Sequence, residues 1–379
     1  MYCSERFILS KKIAKKQGNK WYVLSAKYGL ISPDTIIEPY DISVNDWSEK
    51  EKKEYASKVI KQISDYGIGK DRLVFLCNSP YTNDILKKLE KKKCQIVAPF
   101  FHLKENLYFR YLKLLDNSQR LQLLDNLYDI LNQLKSDGRL LKFKELVNNE
   151  LVPTRGIYVF FSNDEQRILN PFQNRIIRVG THAVSEGAKS TLYQRLKQHK
   201  GMNNLDGNHR GSIFRLHIGN ALMKKNNLEC NTWGQDIKIN DEQKKQESVI
   251  EKMVSEYIGE MSVLLININD NPSKYSDRSY IEQNMIALLS GNYLPIDYQY
   301  ENWLGNDSIH SAVRNSSLWN VDYTQKNYDK NFLDILQIHI DITLGKIADT
   351  GKSYASKDWY AFSKNNYSNP LNLFSNTNG

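Results

Sequence analysis

The chain has 379 residues, with 52 Lys and Arg against 43 Asp and Glu, a formal charge of +9 and a pI near 9.0. That length suggests two domains, and a basic balance of this size favours a polyanionic partner, nucleic acid before membrane. Cys3, Cys77, Cys94 and Cys230 lack metal-ligand spacing, Met1 to Lys16 has no apolar signal core, and runs such as Val263 to Ile266 are too short to span a bilayer, so the expectation is a soluble, cytoplasmic protein with no zinc site or disulfide framework.

Residues 1–105 read as helix and strand in alternation. Phe7 to Lys16 is a basic helix, Trp21 to Leu24 a short strand, and Trp47 to Ile63 a helix with Tyr55, Val59 and Ile63 at helical spacing. Leu73 to Cys77 is a strand, Thr82 to Lys93 a helix, and Gln95 to Ala98 a strand. This alternation predicts an α/β domain with a parallel sheet. Residues 106–150 carry a leucine stripe (Leu107, Leu112, Leu115, Leu121, Leu124, Leu127, Leu131, Leu134) and read as a helical linker packed on a neighbour. Pro153 breaks that pattern and opens a second, mixed α+β domain over 151–345. Its expected elements are strands at Gly156–Phe161, Ile176–Val179, Ser212–Ile218 and Met261–Ile268, with helices at Thr191–His199, Glu242–Tyr257, Ser279–Leu289 and Phe332–Ile347. Residues 346–379 read as a loosely packed, Asn- and Ser-rich tail.

The second domain carries an ordered set of polar groups. Gly156-Ile157-Tyr158 lies on a strand and Arg178-Val179-Gly180 on its partner. Arg195 and His199 are one helical turn apart, and Glu282 is a lone carboxylate on a later helix. Cutting a phosphodiester needs an activated water and charge relief at phosphorus. A hard cation can supply much of both while holding few protein ligands, so one carboxylate can suffice.

This order resembles a diverged GIY-YIG nuclease. The resemblance covers roughly residues 151–345. It implies that Tyr158 is the general base or water-positioning group, Arg195 the phosphate clamp, His199 a secondary polar residue of the site, and Glu282 the ligand of Mg²⁺ or Mn²⁺. The second motif lacks its usual Tyr, and either the site has lost a hydroxyl or His182 substitutes for it. The motifs lie 20 positions apart, which implies an inserted loop between the strands. The family's Asn is either Asn284, which lies about 200° around the helix from Glu282, or Asn292. The segment Gly207-Asn208-His209-Arg210-Gly211-Ser212 is similar to one in diverged bacterial GIY-YIG-like proteins. A glycine-flanked turn of this kind can present N–H groups and a cation to phosphate, so Asn208, His209 and Arg210, together with Arg178, are assigned to nucleic-acid contact. His217 reads as structural.

Trp21 to Asp34 and Ile36 to Asp41 resemble an uncharacterised bacterial domain distantly related to the YaaA peroxide-stress proteins. In that family a strand with a Cys-Ser-Lys turn normally comes first, so either the start lies upstream or the element is lost. Ser25, Lys27, Asp34 and Tyr40 gather after a strand end, where open α/β sheets bind ligands, and equally compose a tight turn around Gly29 and Pro33.

The leading expectation is a metal-dependent DNA endonuclease of restriction or phage defence. The alternatives are a non-catalytic nucleic-acid-binding protein on a decayed scaffold, or a two-activity enzyme whose first domain processes or senses modified bases. A phosphate clamp does not distinguish sugars, so RNA stays open as a partner, as does a homo-oligomer.

Overall fold

The computed structural model describes residues 4–355 apart from 18–19, 72, 78, 93–95, 99–117, 147–151, 169, 171 and 239. The expected Leu107, Leu112 and Leu115 and most of the tail lie outside the described residues. The chain divides into two compact units, residues 1–119 with 168–172 and residues 120–167 with 173–379.

In the first unit, α1 (Glu5–Gln17) precedes a hairpin of β1 (Val23–Ser25) and β2 (Gly29–Ile31). Gly29 turns this hairpin at φ +77°, and a β-carbon there would lie 2.2 Å from Gln62 Oε1. Gln62 uses that proximity: Oε1 accepts the Leu30 N–H and Nε2 donates to the Tyr28 carbonyl, stapling the turn to α2 (Glu49–Asp65). Helix α2 starts at a capping box, in which Ser48 Oγ accepts the Glu51 N–H and Glu51 accepts the Ser48 N–H. Its buried face of Tyr55, Ala56, Val59, Ile60 and Ile63 packs on Ile85, Leu86 and Leu89 of α3 (Ser79–Lys91). β3 (Leu73–Val74) and β4 (Ile96–Val97) pair in parallel, as an α/β layer requires.

The second unit begins with α4 (Ser118–Ser136), whose leucine stripe is its buried face: Leu121, Leu124, Leu127, Leu131 and Leu134 are all 1% exposed or less. A four-stranded antiparallel sheet follows, in the order β5 (Leu141–Lys142), β8 (Ser262–Asn267), β6 (Gly156–Gln166), β7 (Asn174–Gly180). Side chains alternate across it. Tyr158 and Phe160 face a core built with α5 (Leu192–Lys200), α6 (Ile213–Asn226) and α7 (Asp241–Gly259). On the other face Phe161 lies beneath Lys135 of α4, with Nζ 3.9 Å from the ring centre. There α8 (Asp277–Ser290) packs on β6 and β7, and α10 (Phe332–Thr343) on β8 and α8; α9 (Ser311–Ser316) packs on α8. The outer edge of β7 is closed by the segment Leu318–Asn320. Trp319 N–H donates to the Ile177 carbonyl, and the Asn320 side chain bonds both the N–H and the carbonyl of Val179.

One expectation is corrected. Ser212–Ile218 is not a strand but the cap and first turns of α6. Ser212 Oγ accepts the Arg215 N–H, and Phe214, Ile218, Ala221 and Leu222 then share one buried face. Local alternation misleads because Arg215, a charged residue, is also fully buried. The gap between the two motifs is filled mostly by strand, with residues 167–173 left between β6 and β7. The extra residues lengthen the β6–β7 hairpin, with bulges after Phe160 and Phe161. Its far end is fixed by buried ion pairs from Arg175 to Glu165 and from Arg167 to Asp297, and Arg167 also reaches the partly exposed Asp125.

The densest polar knot joins α6 to α7. Arg215 is fully buried; its guanidinium meets the Glu251 carboxylate at 2.5 and 2.8 Å, the His199 carbonyl at 2.9 Å and Ser255 Oγ at 2.9 Å. Removing one member of a buried pair strands the other charge. Glu251→Ala is therefore expected to destabilise the second unit by about 3–5 kcal/mol, measured as a lowered urea midpoint; a loss under about 1 kcal/mol would contradict this account.

Candidate active site

The geometry begins with two glycines. Gly156 sits opposite Asn267, and a β-carbon on it would lie 2.1 Å from the Ile266 carbonyl. Gly180 is the cross-strand partner of Tyr158, and a β-carbon there would lie 2.2 Å from the Tyr158 hydroxyl. The first motif ends in a tyrosine and the second in a glycine because the phenol lies across the glycine.

Tyr158 Oη is 2.8 Å from His199 Nε2, with both side chains almost fully buried. Thr191 and Gln194 form a capping box that starts α5, and Leu192, Leu196 and His199 share its buried face. His199 Nδ1 is 2.8 Å from Ser212 Oγ. Burial, with Arg178, Arg195 and Arg215 nearby, holds the imidazole well below its ordinary pKa, so it is neutral at pH 7. With Nδ1–H donating to Ser212, Nε2 is left to accept the Tyr158 proton; this tautomer is assigned from the network.

Glu282, on the second turn of α8, is half-buried at the end of β7, and Oε1 accepts the Thr181 N–H at 3.1 Å. Burial pushes its carboxyl up to about 7, against the pull of Arg178, the Thr181 N–H and Arg195, while Asp322 pushes it further up. Arg195 is half-buried and held by Gln198 and the Gly211 carbonyl. It makes no ion pair with a carboxylate among the described residues, which leaves its charge for a ligand. Arg178 occupies the place of the second-motif tyrosine. It is 8% exposed, donates to the Trp319 carbonyl at 2.5 Å and lies over the Phe214 ring at 4.4 Å. It is a buried cation whose charge acts on both His199 and Glu282, and this burial leaves it little exposed surface for the expected contact to nucleic acid. His182 is buried, and burial together with Arg278, Arg155 and Arg195 depresses it to about 4. It is thus a neutral group at neutral pH in a positive surround.

The Gly207–Ser212 segment does not form a phosphate loop. His209 is 1% exposed; Nδ1 meets Glu251 at 2.9 Å, Nε2 accepts the Gly234 N–H, and the ring stacks on Trp233 at 3.8 Å. Arg210 pairs bidentately with Glu247 at 2.7 and 2.9 Å and donates to the Thr232 and Gln235 carbonyls. Asn208 caps the turn by accepting the Arg210 N–H. The His209 and Arg210 side chains are thus occupied by partners 22 to 42 residues away along the chain. A β-carbon on Gly207 would lie 2.2 Å from Arg215 Nη2, so this glycine makes room for the knot. What the segment supplies to the site is Ser212, which sequence reading passed over; its place as a cap before an apolar run was the available signal.

Asn284 does not join Glu282. Its Nδ2 donates to the Tyr280 carbonyl and its Oδ1 accepts the Asp329 N–H. Asn292, at φ +57°, lies beyond the far end of α8, more than two turns from Glu282. In the first unit, Ser25 is fully buried and its Oγ meets Tyr40 Oη at 2.7 Å and accepts the Tyr28 N–H. Lys27 is exposed, with Nζ 5.2 Å from the Tyr28 ring centre, and Asp34 is exposed and makes no hydrogen bond among the described residues. Ser25 and Tyr40 therefore brace the turn.

A divalent cation can be tested against this donor set. Among the described residues no three His, Cys, Asp or Glu converge as a metal cluster. Glu282 offers one occupied and one open oxygen in a setting that disfavours its bare charge. That suits a hard ion that keeps most of its waters.

A family model for the GIY-YIG domain matches residues 118–345. A second, for a family of unknown function (DUF6884), matches residues 1–113; neither shows kinship with YaaA proteins. No curated protein and no solved structure matches the chain. No helix among the described residues is long and apolar enough to cross a membrane.

Two outcomes follow from the geometry. Gly180→Ala must displace Tyr158, and is expected to cost about 1–3 kcal/mol and to break the Tyr158–His199 hydrogen bond, read as a changed His199 imidazole NMR shift; an unmoved shift would refute it. The Glu282 carboxyl is raised from 4.5 to about 7 on folding. Its neutral form thus contributes stability that is full below pH about 4.5 and lost as pH rises through about 7. Glu282→Gln is expected to raise the Tm of metal-free protein by a few degrees at pH 8 and to leave it unchanged near pH 4; equal shifts at both would sink the assignment.

Proposed function

The chain belongs to the GIY-YIG family, and from that premise and the site geometry we propose that it is a divalent-metal-dependent DNA endonuclease, acting in restriction or phage defence. Nuclease function and a nucleic-acid substrate come with the family. The metal, the named residues and the defence role are our reading. The observation that carries it is the 2.8 Å contact between Tyr158 Oη and the neutral His199 Nε2. A tyrosine alone is a weak base near pH 7, with an ordinary pKa near 10. Coupled to an imidazole held in its acceptor tautomer, it can take a proton while passing its own along.

In the proposed reaction a water attacks phosphorus in line with the leaving oxygen. The water's proton moves to Tyr158 Oη as the phenolic proton moves to His199 Nε2, and the imidazolium so formed keeps Nδ1–H on Ser212. Arg195 binds a phosphate oxygen, and its planar fork suits that task. Arg178 holds the local potential positive, which favours a bound phosphate and keeps His199 unprotonated until the reaction supplies the proton. Glu282 would hold Mg²⁺ or Mn²⁺, which when bound supplies charge relief at the phosphate and lowers the water's pKa. The P–O bond to the leaving group breaks as the new P–O bond forms; the leaving oxygen takes a proton from solvent, and His199 and Tyr158 return one to solvent afterwards, leaving a phosphomonoester end and a hydroxyl end.

Plasmid cleavage tests the reading. With Mg²⁺ the wild type is expected to nick or linearise DNA, and EDTA to abolish this. Glu282→Ala, Tyr158→Phe and His199→Ala should each lower the rate by about 10²-fold or more. Cutting that survives both Glu282→Ala and EDTA would refute the mechanism. Binding without cutting of DNA or RNA, modified or unmodified, would establish the decayed scaffold instead.

A further inference from the structure

The charge of this chain is unevenly placed. Residues 1–119 hold 22 Lys and Arg against 14 Asp and Glu, whereas residues 120–379 hold 30 against 29. The first unit thus carries nearly all of the +9 excess, and the unit with the nuclease site is close to neutral. Part of that excess forms a surface. An open groove is lined by Lys50, Lys53, Glu54 and Ser57 of α2 and by Asp84, Lys87, Lys88 and Lys91 of α3. Lys50, Lys53, Lys87 and Lys91 are exposed, and Lys88 Nζ spans the groove to Ser57 Oγ at 3.0 Å. The one ion pair in it, Lys50 to Glu54 at 4.0 Å, is solvent-exposed and too weak to neutralise the patch.

We infer that the α2–α3 groove of the first unit is the surface by which this protein grips the nucleic-acid backbone, without reading sequence. The inference rests on the nuclease reading of the second unit. The chemistry of the lining decides the class of partner. It has five cations against two acids and no aromatic or aliphatic side chain. A protein interface would bring apolar anchors to its centre, and a membrane-inserting face needs an apolar stripe. All five cations are lysines, which bind phosphate as point charges; none is an arginine, whose fork reads guanine or clamps a phosphate bidentately. Such a surface positions a duplex and does not specify a site. Lys87 and Lys91 are one turn apart, a rise of about 6 Å, over which duplex DNA presents roughly one phosphate charge per 1.7 Å. A near-neutral catalytic unit gains little from long-range attraction, so the substrate would be held mainly by the basic one.

The test is the salt dependence of binding by the full chain to labelled duplex DNA without cutting. The groove variant is Lys53→Gln/Lys87→Gln/Lys91→Gln. A control, Lys224→Gln/Lys225→Gln/Lys244→Gln, removes the same charge from exposed positions of the second unit. Each phosphate contact contributes about 0.9 to the slope of log K against log salt. The groove variant is expected to lower that slope by about 2–3 and to weaken binding at least tenfold at low salt, with Tm unchanged, while the control binds as wild type. An unchanged slope in the groove variant, or an equal loss in the control, overturns the inference and leaves the nuclease reading standing. A wild type that binds neither DNA nor RNA at any salt overturns both. Binding to anionic phosphatidylserine vesicles in place of DNA would assign the groove to a membrane surface and overturn the inference.

Discussion

The salt bridge between Arg215 and Glu251 is the constraint on which the site depends. Two fully desolvated charges are costly, and here the cost is offset because nearly every polar atom has a partner. The guanidinium reaches Glu251, Ser255 and the His199 carbonyl, and Glu251 also accepts from the His209 ring and backbone. Three segments are thereby fixed to one point: the end of α5, the Gly207–Ser212 turn and, far along the chain, the middle of α7. The Tyr158–His199 pair inherits its geometry from that point. His199 is fixed through its own carbonyl and through Ser212, and Tyr158 is fixed by His199 and by the absence of a side chain on Gly180.

The charge pattern around this pair differs from what a second tyrosine would create. Arg178 replaces a weakly acidic hydroxyl by a permanent cation, immobilised by the Trp319 carbonyl and the Phe214 ring. It lowers the proton affinity of His199 and opposes the effect of burial on Glu282. His199 and Glu282 are thus both influenced by one buried side chain.

Much of this was legible in the sequence, for definite reasons. Gly156, Tyr158, Arg195, His199 and Glu282 stand out in the sequence because each role proposed for them calls for one residue type at one place in an element, and the structure puts Tyr158 and His199 in contact. Helix α2 follows from apolar periodicity and, like α5 and α7, from a capping box. What was not legible depends on partners far along the chain. Asn208, His209 and Arg210 look like a phosphate turn until Glu247 and Glu251 are seen to occupy them. Ser212–Ile218 alternates like a strand because Arg215 reads as an outward charge, whereas it is the most enclosed cation of the knot. Asn284 is two residues from Glu282 and therefore on another face of the helix, where it holds the Asp329 loop.

The closure of the β7 edge has a consequence for how this protein can associate. An open outer strand is a template on which another chain can add by backbone pairing. Here the Asn320 amide imitates a peptide group against Val179, and Trp319 donates to Ile177, so those positions are already satisfied from within. The opposite edge, β5, is two residues long. Strand addition is thereby blocked on one side and barely templated on the other. The sheet of the second unit is thereby a poor template on which a second copy could add a strand.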